Sequence, residues 1–294
     1  MSFIDSLISE NGKVTLQKYD GSDLRPGTSP GKRQFTSQDN LLIVTFLDVE
    51  TTGKNRDEDK IIELALKTVD IDKTSGFVIS VLNEYGSLED PGIPISPEAT
   101  AVNGITDEMV RDKSIDWSNV EQIFSSTELI VAHNSAFDRR FIDRYSNVSH
   151  DKVWGCTMVD IDWLKNGFPS KGLEILSMWH GFYYDSHRGM NDVAAMIHLV
   201  THDFESGRSY SSELLENSFK HYYLLEAQFK YDVTKVEKCK AEGFFWNNPS
   251  KTWCKKISIE DIDSTRAWVS ENLQDGYFTG TIVEVPLYDR FKKG

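Results

Sequence analysis

Apolar and polar positions divide the chain into strand-like runs followed by helix-like ones. Three apolar, β-branched runs predict strands over 41–49, 60–69 and 77–85, and their short connections predict an antiparallel meander. Further along, the spacing of apolar residues predicts a helix over 118–124, a strand over 128–132, a helix over 137–145 and a strand over 153–159. Two final helices are predicted over 173–179 and 192–202. This order predicts an α/β fold with a mixed sheet flanked by helices.

The two ends of the chain differ from this central pattern. Residues 1–39 begin with a short amphipathic stretch and become rich in Gly, Pro and Ser, which predicts a partly flexible N-terminal extension. The main α/β domain is expected over 40–208. Residues 209–229 are expected to form a linking segment with a helix over 214–229. Residues 230–294 predict a small C-terminal α/β module of helices and short strands.

The net charge of −14 is concentrated in the middle of the chain. Residues 40–229 contain sixteen basic and thirty-one acidic side chains, whereas residues 230–294 contain eleven basic and ten acidic ones. Non-specific binding to nucleic acid depends on basic side chains that release counterions. This distribution therefore excludes a protein that simply coats DNA by charge.

Three features bear on the compartment. The apolar runs are shorter than the roughly 20 residues that a membrane-spanning helix needs. The N-terminal residues lack the basic start of a signal peptide. The cysteines, Cys156, Cys239 and Cys254, are too few and scattered for a disulfide framework. We therefore expect a cytoplasmic protein with no membrane partner.

Two carboxylates, Asp48 and Glu50, lie two residues apart at the end of the first predicted strand, just before a Thr-Thr-Gly turn. Because side chains alternate along a strand, both project from the same face. Adjacent acids repel each other, and a divalent cation such as Mg²⁺ between them removes this repulsion. An isolated Asp-x-Glu is more often a solvated strand end, so the choice depends on further ligands.

Two further acids follow where helices are predicted to begin. Asp138 ends the sequence His-Asn-Ser-Ala-Phe-Asp, and Asp192 ends the sequence His-Arg-Gly-Met-Asn-Asp that starts at His187. An acid is favoured in the first turn of a helix, from which it can face the strand ends. The four acids are therefore candidate ligands of one metal site.

These three motifs resemble those of the DEDDh branch of the DnaQ-like 3′→5′ exonucleases, which includes the proofreading epsilon subunit of bacterial DNA polymerase III and exonuclease X. Asp48 and Glu50 match the first motif, Asp138 matches the second, and His187 with Asp192 matches the third. The resemblance covers roughly residues 40–208. It implies a ribonuclease H-like mixed sheet with three antiparallel strands plus two parallel ones.

The resemblance also implies a reaction. The four acids would hold two Mg²⁺ or Mn²⁺ ions about 4 Å apart, which activate a water molecule and stabilise the leaving 3′ oxygen. His187 would be the general base, because an imidazole with its ordinary pKa of about 6.5 accepts protons near neutral pH. The expected products are nucleoside 5′-monophosphates from a 3′ end in DNA repair or proofreading. Single-stranded or frayed DNA is preferred over RNA, and a homodimer or a polymerase or repair partner is compatible with the sequence.

Substrate contacts are implied at eight residues in the Thr-Thr-Gly turn, the Gly-Ile-Thr loop and the second motif: Thr51, Thr52, Gly53, Asn103, Gly104, Ile105, Asn134 and Phe137. Two positions depart from the family pattern. Asn103 stands where many relatives have His, and Gly189 stands where Ala is usual. A glycine there is expected to loosen the segment that carries His187.

Two other functions remain open: an RNA-directed 3′→5′ exoribonuclease of the same family, and a catalytically silent scaffold that binds nucleic acid or protein. The histidines and cysteine outside the motifs favour structural roles. His198 and His202 lack the intervening Glu of a zinc-protease motif, so we expect surface or core positions. We expect a structural hydrogen bond for His133 and a buried thiol for Cys156.

The C-terminal tryptophans have two interpretations. Trp246 and Trp253, flanked by Lys251, Lys255 and Lys256, match the aromatic and basic composition that binds single strands. Alternatively, both tryptophans fill the core of a module that is too small to have another. We favour the core for the tryptophans and keep the lysines as candidate guides for a strand.

Overall fold

The computed structural model of the protein describes residues 13–29, 37–201 and 209–292. The described residues up to Ser218, together with those from Phe291 onwards, form a first compact unit, and Phe219–Arg290 form a second. The amphipathic stretch expected at the start of the chain lies outside the described residues. None of the helices in the described ranges combines the length and apolarity needed to cross a membrane.

The first unit is built on a central sheet. The described strands of this unit are β1 (Gln17–Lys18), β2 (Leu41–Thr51), β3 (Ile61–Asp72), β4 (Val78–Leu88), β5 (Leu129–Ala132), β6 (Val153–Cys156) and β7 (Phe182–Tyr183). Five of them form one sheet in the order β4–β3–β2–β5–β6. β2, β3 and β4 pair antiparallel, whereas β5 pairs parallel with both β2 and β6. This confirms the predicted ribonuclease H-like mixed sheet.

Seven α-helices accompany this sheet in the described part of the unit: α1 (Pro97–Asn103), α2 (Asp107–Val110), α3 (Trp117–Ser126), α4 (Ser135–Ile142), α5 (Leu173–Trp179), α6 (Gly189–Val200) and α7 (Tyr210–Ser218). The sequence did not predict α1 and α2. Helix α1 starts where the Ser96 hydroxyl accepts the Ala99 N–H, and it ends at Gly104, whose φ of 71° is left-handed. These capping residues are local signals of a short helix.

One face of β2 packs into the hydrophobic core, and the other carries the two acids. Leu47 and Val49 belong to the main core cluster, which also contains residues of α3 and α4 and the buried Trp154. Because side chains alternate, Asp48 and Glu50 project from the opposite face, on which α6 packs across β2 and β3. Burial of one face therefore fixes the register that presents both acids on the other.

Part of the expected N-terminal extension is docked on the first unit. Strand β1 pairs parallel with β7. The Tyr19 ring stacks on the His198 ring with centroids 4.1 Å apart, and Leu24 is buried. Residues 13–29 are therefore docked on this unit. The predicted partial flexibility of the extension stays a prediction. His198 has the structural role that was expected, while His202 lies outside the described residues.

The second unit is a smaller α/β module. Its strands β8 (Tyr222–Ala227), β9 (Phe245–Asn247), β10 (Thr252–Ser258) and β11 (Thr281–Val285) form an antiparallel sheet in the order β11–β8–β10–β9. Helices α8 (Val233–Ala241) and α9 (Ile262–Leu273) complete it. Its core joins residues of β8, such as Leu225 and Ala227, to residues of both helices, such as Cys239 and Val269.

The helix predicted over 214–229 is wrong. Helix α7 ends at Ser218, and the Tyr-Tyr-Leu-Leu run that follows belongs to strand β8. Leu225 and Ala227 point into the core of the second unit, so the burial follows a period of two. A short apolar run fits both periods, and strand pairing with β10 and β11 decides between them here.

Candidate active site

The catalytic candidates meet at one edge of the central sheet. Asp48 and Glu50 lie near the end of β2. Helix α4 begins directly after the parallel strand β5 and carries Asp138 in its first turn. Helix α6 likewise carries Asp192 in its first turn. The carboxyl ends of parallel strands lie at the same edge of a sheet, so the four acids lie close together there.

A cleft of about 300 Å³ lies at this edge. All five predicted catalytic residues line it: Asp48, Glu50, Asp138, His187 and Asp192. Asn134 and Phe137, two of the eight predicted substrate contacts, also line it. Sequence analysis missed the opposite wall, which helix α5 forms with Leu173, Glu174 and Ile175. The sequence predicted this helix but carried no signal that it borders the site.

Three carboxylates are close enough to share a cation. Asp48, Glu50 and Asp192 each offer an oxygen atom within 4.8 Å of the others. Asp138 is buried beside them, and its Oδ1 accepts a hydrogen bond from the Val49 N–H at 3.3 Å. A donor set made only of carboxylate oxygens suits hard cations such as Mg²⁺ or Mn²⁺ better than Zn²⁺, which favours nitrogen and sulfur.

Burial and mutual repulsion make these acids reluctant to ionise. Burial raises the pKa of Asp48 well above its usual range, and the charges of Asp138 and Asp192 raise it further. Burial also raises the pKa of Glu50 to about 7. Bound divalent cations would reverse this effect, because ligation requires the ionised form. The residues present therefore fit a divalent metal.

Both oxygens of Asp192 are held by hydrogen bonds. The Tyr184 hydroxyl donates to Oδ1 at 2.9 Å, and the Arg188 N–H donates to Oδ2 at 2.9 Å. Tyr184 is buried and lines the cleft, and sequence analysis missed it. A buried tyrosine needs a partner for its hydroxyl, and this one lies three residues before His187. That proximity was the available signal.

The segment that carries His187 is anchored to β3. His187 itself is exposed and has a left-handed φ of 61°, which is uncommon outside glycine. Glu63 on β3 accepts hydrogen bonds from the Gly189 N–H at 3.1 Å and from the Arg188 guanidinium at 3.2 Å. These bonds fix the two residues that follow His187.

Gly189 allows a close approach and does not loosen the segment. A Cβ atom at this position would lie 2.9 Å from the Cβ of Ala65 on β3, closer than such atoms normally approach. Gly189 is buried where helix α6 begins. The expectation of a looser segment is therefore wrong, because the missing side chain lets the start of α6 pack directly against the sheet.

Comparison with known proteins supports the geometry of this cleft. Residues 45–200, more than half of the chain, match the RNase_T exonuclease family. The chain belongs to this family. It is therefore an exonuclease-family protein whose matched region contains all four acids and His187.

The chain spans 21% or less of the length of the first curated relatives that it matches. The 3′-5′ exonuclease DinG of Staphylococcus saprophyticus is 28% identical over 197 residues, which cover 65% of this chain and 21% of DinG. The DNA polymerase III subunit epsilon of Treponema pallidum is 27% identical, covering 53% of this chain and 74% of the subunit. A structure of exonuclease X in complex with 5′ overhanging duplex DNA has a TM-score of 0.44 and 26% identity, covering 60% of this chain and 99% of that one.

The Gly-Ile-Thr loop is joined to one of the acids by a hydrogen bond from Asn103 to Glu50. Asn103 is buried, and its Nδ2 donates to Glu50 Oε2 at 3.3 Å while its Oδ1 accepts the Ile105 N–H at 3.0 Å. Ile105 is fully buried in a separate core cluster. Asn103, Gly104 and Ile105 are absent from the described lining of the cleft. Asn103 therefore contacts a carboxylate of the cleft, and its predicted contact with substrate stays a prediction.

The Thr-Thr-Gly turn is closed by hydrogen bonds from its threonine hydroxyls. The Thr51 hydroxyl donates to the Gly53 carbonyl at 2.6 Å, and the Thr52 hydroxyl donates to Asp59 Oδ1 at 2.7 Å. Both threonines are buried, and their hydroxyls hold the turn. Their predicted substrate contacts stay predictions. A Cβ at Gly53 would lie 2.5 Å from the Asp59 carboxylate, so this position requires glycine unless Asp59 moves.

Two residues near the cleft have the structural roles that were expected. The two ring nitrogens of His133 lie 2.8 Å from the Thr157 hydroxyl and 2.8 Å from the Lys171 carbonyl. Burial lowers the pKa of His133 to about 4, which keeps the ring neutral at physiological pH. Cys156 is buried, and its thiol donates to the His133 carbonyl at 3.3 Å. The other two cysteines are also free and buried.

Proposed function

We propose that the chain is a 3′→5′ exonuclease that uses two divalent metal ions, with DNA as its preferred substrate. The observation that carries this proposal is the convergence of Asp48, Glu50, Asp138, Asp192 and His187 in one cleft. Three of the acids lie within reach of a single cation. Family membership supplies the reaction class, namely hydrolysis of a phosphodiester bond at a chain end.

The four carboxylates would hold the ions, which we propose to be Mg²⁺ or Mn²⁺. When bound, such ions lower the pKa of a water molecule and stabilise charge on the leaving oxygen. His187, exposed at the cleft, is the group proposed to take the proton of that water. Its backbone position is set by the bonds that Glu63 accepts from Arg188 and Gly189.

The cleft walls suit the terminal nucleotide. Phe137 offers a ring for packing against a base, and Leu173 and Ile175 offer apolar surface on the other side. Asn134 adds a polar side chain between the second motif and the acids. We propose that these residues bind the 3′ nucleotide, and that Asn103 acts indirectly through Glu50.

The preference for DNA is supported by what the relatives do. One is named as a DNA polymerase III subunit and another as the 3′-5′ exonuclease DinG. The chain spans 21% of DinG, so its own substrate and pathway are part of the proposal.

Matched oligomers test the proposal. DNA and RNA of one sequence, single-stranded and duplex, would be incubated with Mg²⁺, Mn²⁺ or EDTA, and the products separated by chromatography. We expect nucleoside 5′-monophosphates from single-stranded DNA with either metal and none with EDTA. Faster release from RNA would overturn the DNA preference. Oligonucleotide fragments without mononucleotides would overturn exonuclease action.

A further inference from the structure

The second unit contains a groove of about 390 Å³ that the proposed catalysis does not use. It lies where the loop after β8, helix α8 and the β9–β10 hairpin come together. Its lining includes six side chains that carry the inference: Phe229, Tyr231, Val236, Trp246, Lys251 and Trp253. Four of these six are aromatic, a high share for the surface of a small unit.

The two tryptophans behave differently. They are direct partners across the β9–β10 pairing, with ring centroids 5.7 Å apart. Trp253 packs against the core of the unit, as expected. Trp246 is 47% exposed, so the expectation that it fills the core is wrong. Tyr231, on the other side of the groove, is 80% exposed.

Exposed aromatic rings that border a groove usually mark a binding surface. Trp246 lies on the edge strand β9, and its ring contacts the ring of the partly buried Trp253. The core of the unit is complete without Trp246 and Tyr231, since neither belongs to its described cluster. Their aromatic faces are therefore available to a ligand.

The charge of the groove favours an anionic ligand. Lys251 is exposed at the tip of the β9–β10 hairpin, and the described lining contains no carboxylate. The chain neighbours of Tyr231, Lys230 and Asp232, are both exposed and offset each other, so the charge of the groove rests on Lys251. The other two candidate guide lysines lie elsewhere, because Lys255 and Lys256 line a separate groove. Only Lys251 of the three lysines remains a guide for this groove.

We propose that the groove binds a single-stranded segment of nucleic acid, with bases stacked on Trp246 and Tyr231 and a phosphate beside Lys251. Flat rings and one cation match the two chemical parts of a nucleotide. The choice of nucleic acid rests on the proposed function, because the same chain carries an exonuclease-family domain. Tethering a second strand-binding surface to that domain raises the local concentration of substrate.

Binding measured without turnover tests this proposal. The full chain in EDTA would be titrated with fluorescein-labelled oligothymidylate, and anisotropy recorded. We expect Trp246→Ala to weaken binding about 5-fold or more, from the loss of one stacked base. Tyr277→Ala is the matched control, since Tyr277 is 81% exposed elsewhere in the same unit, and its affinity should equal that of the unmodified chain.

Salt dependence supplies a second readout. Lys251→Gln should reduce the slope of log affinity against log salt by about 0.7, the value for one phosphate contact on a single strand. Unchanged affinity in Trp246→Ala, or an unchanged slope in Lys251→Gln, would overturn the proposal. A third result would also overturn it: Trp246→Ala dissociates a dimer of the chain but leaves the affinity for oligothymidylate unchanged. In that case a second copy of the chain, and not a nucleic acid, would occupy the groove.

The failure of this proposal is distinguishable from failure of the proposed function. Hydrolysis of the p-nitrophenyl ester of thymidine 5′-monophosphate by the unmodified chain with Mg²⁺ or Mn²⁺ reports only on the metal-dependent site. Binding in EDTA reports only on strand affinity. If the chain is active but Trp246→Ala does not change its affinity for the oligonucleotide, only the proposed binding to the groove is refuted. If the chain is inactive but its binding depends on Trp246, only the proposed exonuclease activity is refuted.

Discussion

The Tyr184 hydroxyl donates a hydrogen bond to Asp192 Oδ1 at 2.9 Å. The other oxygen of Asp192 accepts the Arg188 N–H, so the carboxylate is fixed in orientation. Burial and the Asp192 charge raise the pKa of Tyr184, which keeps the hydroxyl protonated as a donor. Partners of this kind orient a metal ligand, and their loss typically costs about 10- to 100-fold in metal affinity or activity.

Tyr184→Phe should therefore weaken metal binding. We expect about a tenfold higher Mg²⁺ concentration for half-maximal activity, because Asp192 loses the donor that orients it. Titration of activity with Mg²⁺ measures this change. Tyr183→Phe is the matched control, since the neighbouring Tyr183 is exposed and does not line the described cleft. Equal Mg²⁺ requirements in the two variants would contradict the role of Tyr184.

Asn103 provides a test of the support behind Glu50. Asn103→Asp replaces the donor at 3.3 Å by a second carboxylate, which should raise the pKa of Glu50 further and weaken metal binding at neutral pH. The acidic limb of the pH–activity profile should move up by about one pH unit. Asn103→His retains a donor and should give a smaller displacement. Identical pH–activity profiles for the two variants would refute the role of the Asn103 hydrogen bond in stabilising the ionised form of Glu50.

Gly189 tests whether close packing positions His187. Gly189→Ala places a Cβ 2.9 Å from that of Ala65, which should displace the start of α6 and lower kcat about tenfold or more. The double variant Gly189→Ala with Ala65→Gly removes the collision and should recover most of the loss. Steady-state kinetics with thermal unfolding of each variant separates displacement from misfolding. Failure of the double variant to recover kcat, despite a stable fold, would contradict this explanation.

The raised pKa values predict how stability changes with pH in the absence of metal. Glu50 titrates near 4.5 when unfolded and at about 7 when folded, so the folded state binds more protons between these values. The stability contribution of its neutral form is complete below about pH 4.5 and is lost as the pH rises through about 7. The loss is about 3 kcal/mol.

Thermal unfolding in EDTA between pH 5 and pH 8 measures this effect. Glu50→Gln should reduce the fall in Tm with rising pH, because its side chain does not ionise. Mg²⁺ should raise the Tm of the unmodified protein more at pH 8 than at pH 5, since protons compete with the metal. Equal pH dependence in both proteins would show that Glu50 is not desolvated.

The sequence predicted the elements whose pattern has a single interpretation. The β2–β4 meander and the three acidic motifs follow from local alternation and helix starts. Strand β8 was missed because its Tyr-Tyr-Leu-Leu run fits both periods until its partners are known. The docking of β1 onto β7 was missed because a two-residue pairing leaves no periodic pattern.

The metal site was predictable to a greater extent than its supports. Hard cations favour carboxylate oxygens, so Asp48 and Asp192 are recognisable in the sequence as candidate ligands. Glu63 and Tyr184 are ordinary strand and loop residues whose roles arise only from tertiary contacts with Gly189 and Asp192. The hydrogen bond from the Thr52 hydroxyl to Asp59 is likewise a tertiary contact that the motif alone does not predict.

The most direct test of the central claim is the order in which a labelled single-stranded DNA is shortened in Mg²⁺. With the label at the 5′ end, the account predicts a ladder that shortens one nucleotide at a time. With the label at the 3′ end, it predicts a labelled mononucleotide as the first product. Asp48→Asn should abolish both, and Asp263→Asn, an exposed acid of the second unit, should retain both. Internal fragments, or undiminished release by Asp48→Asn, would contradict the account.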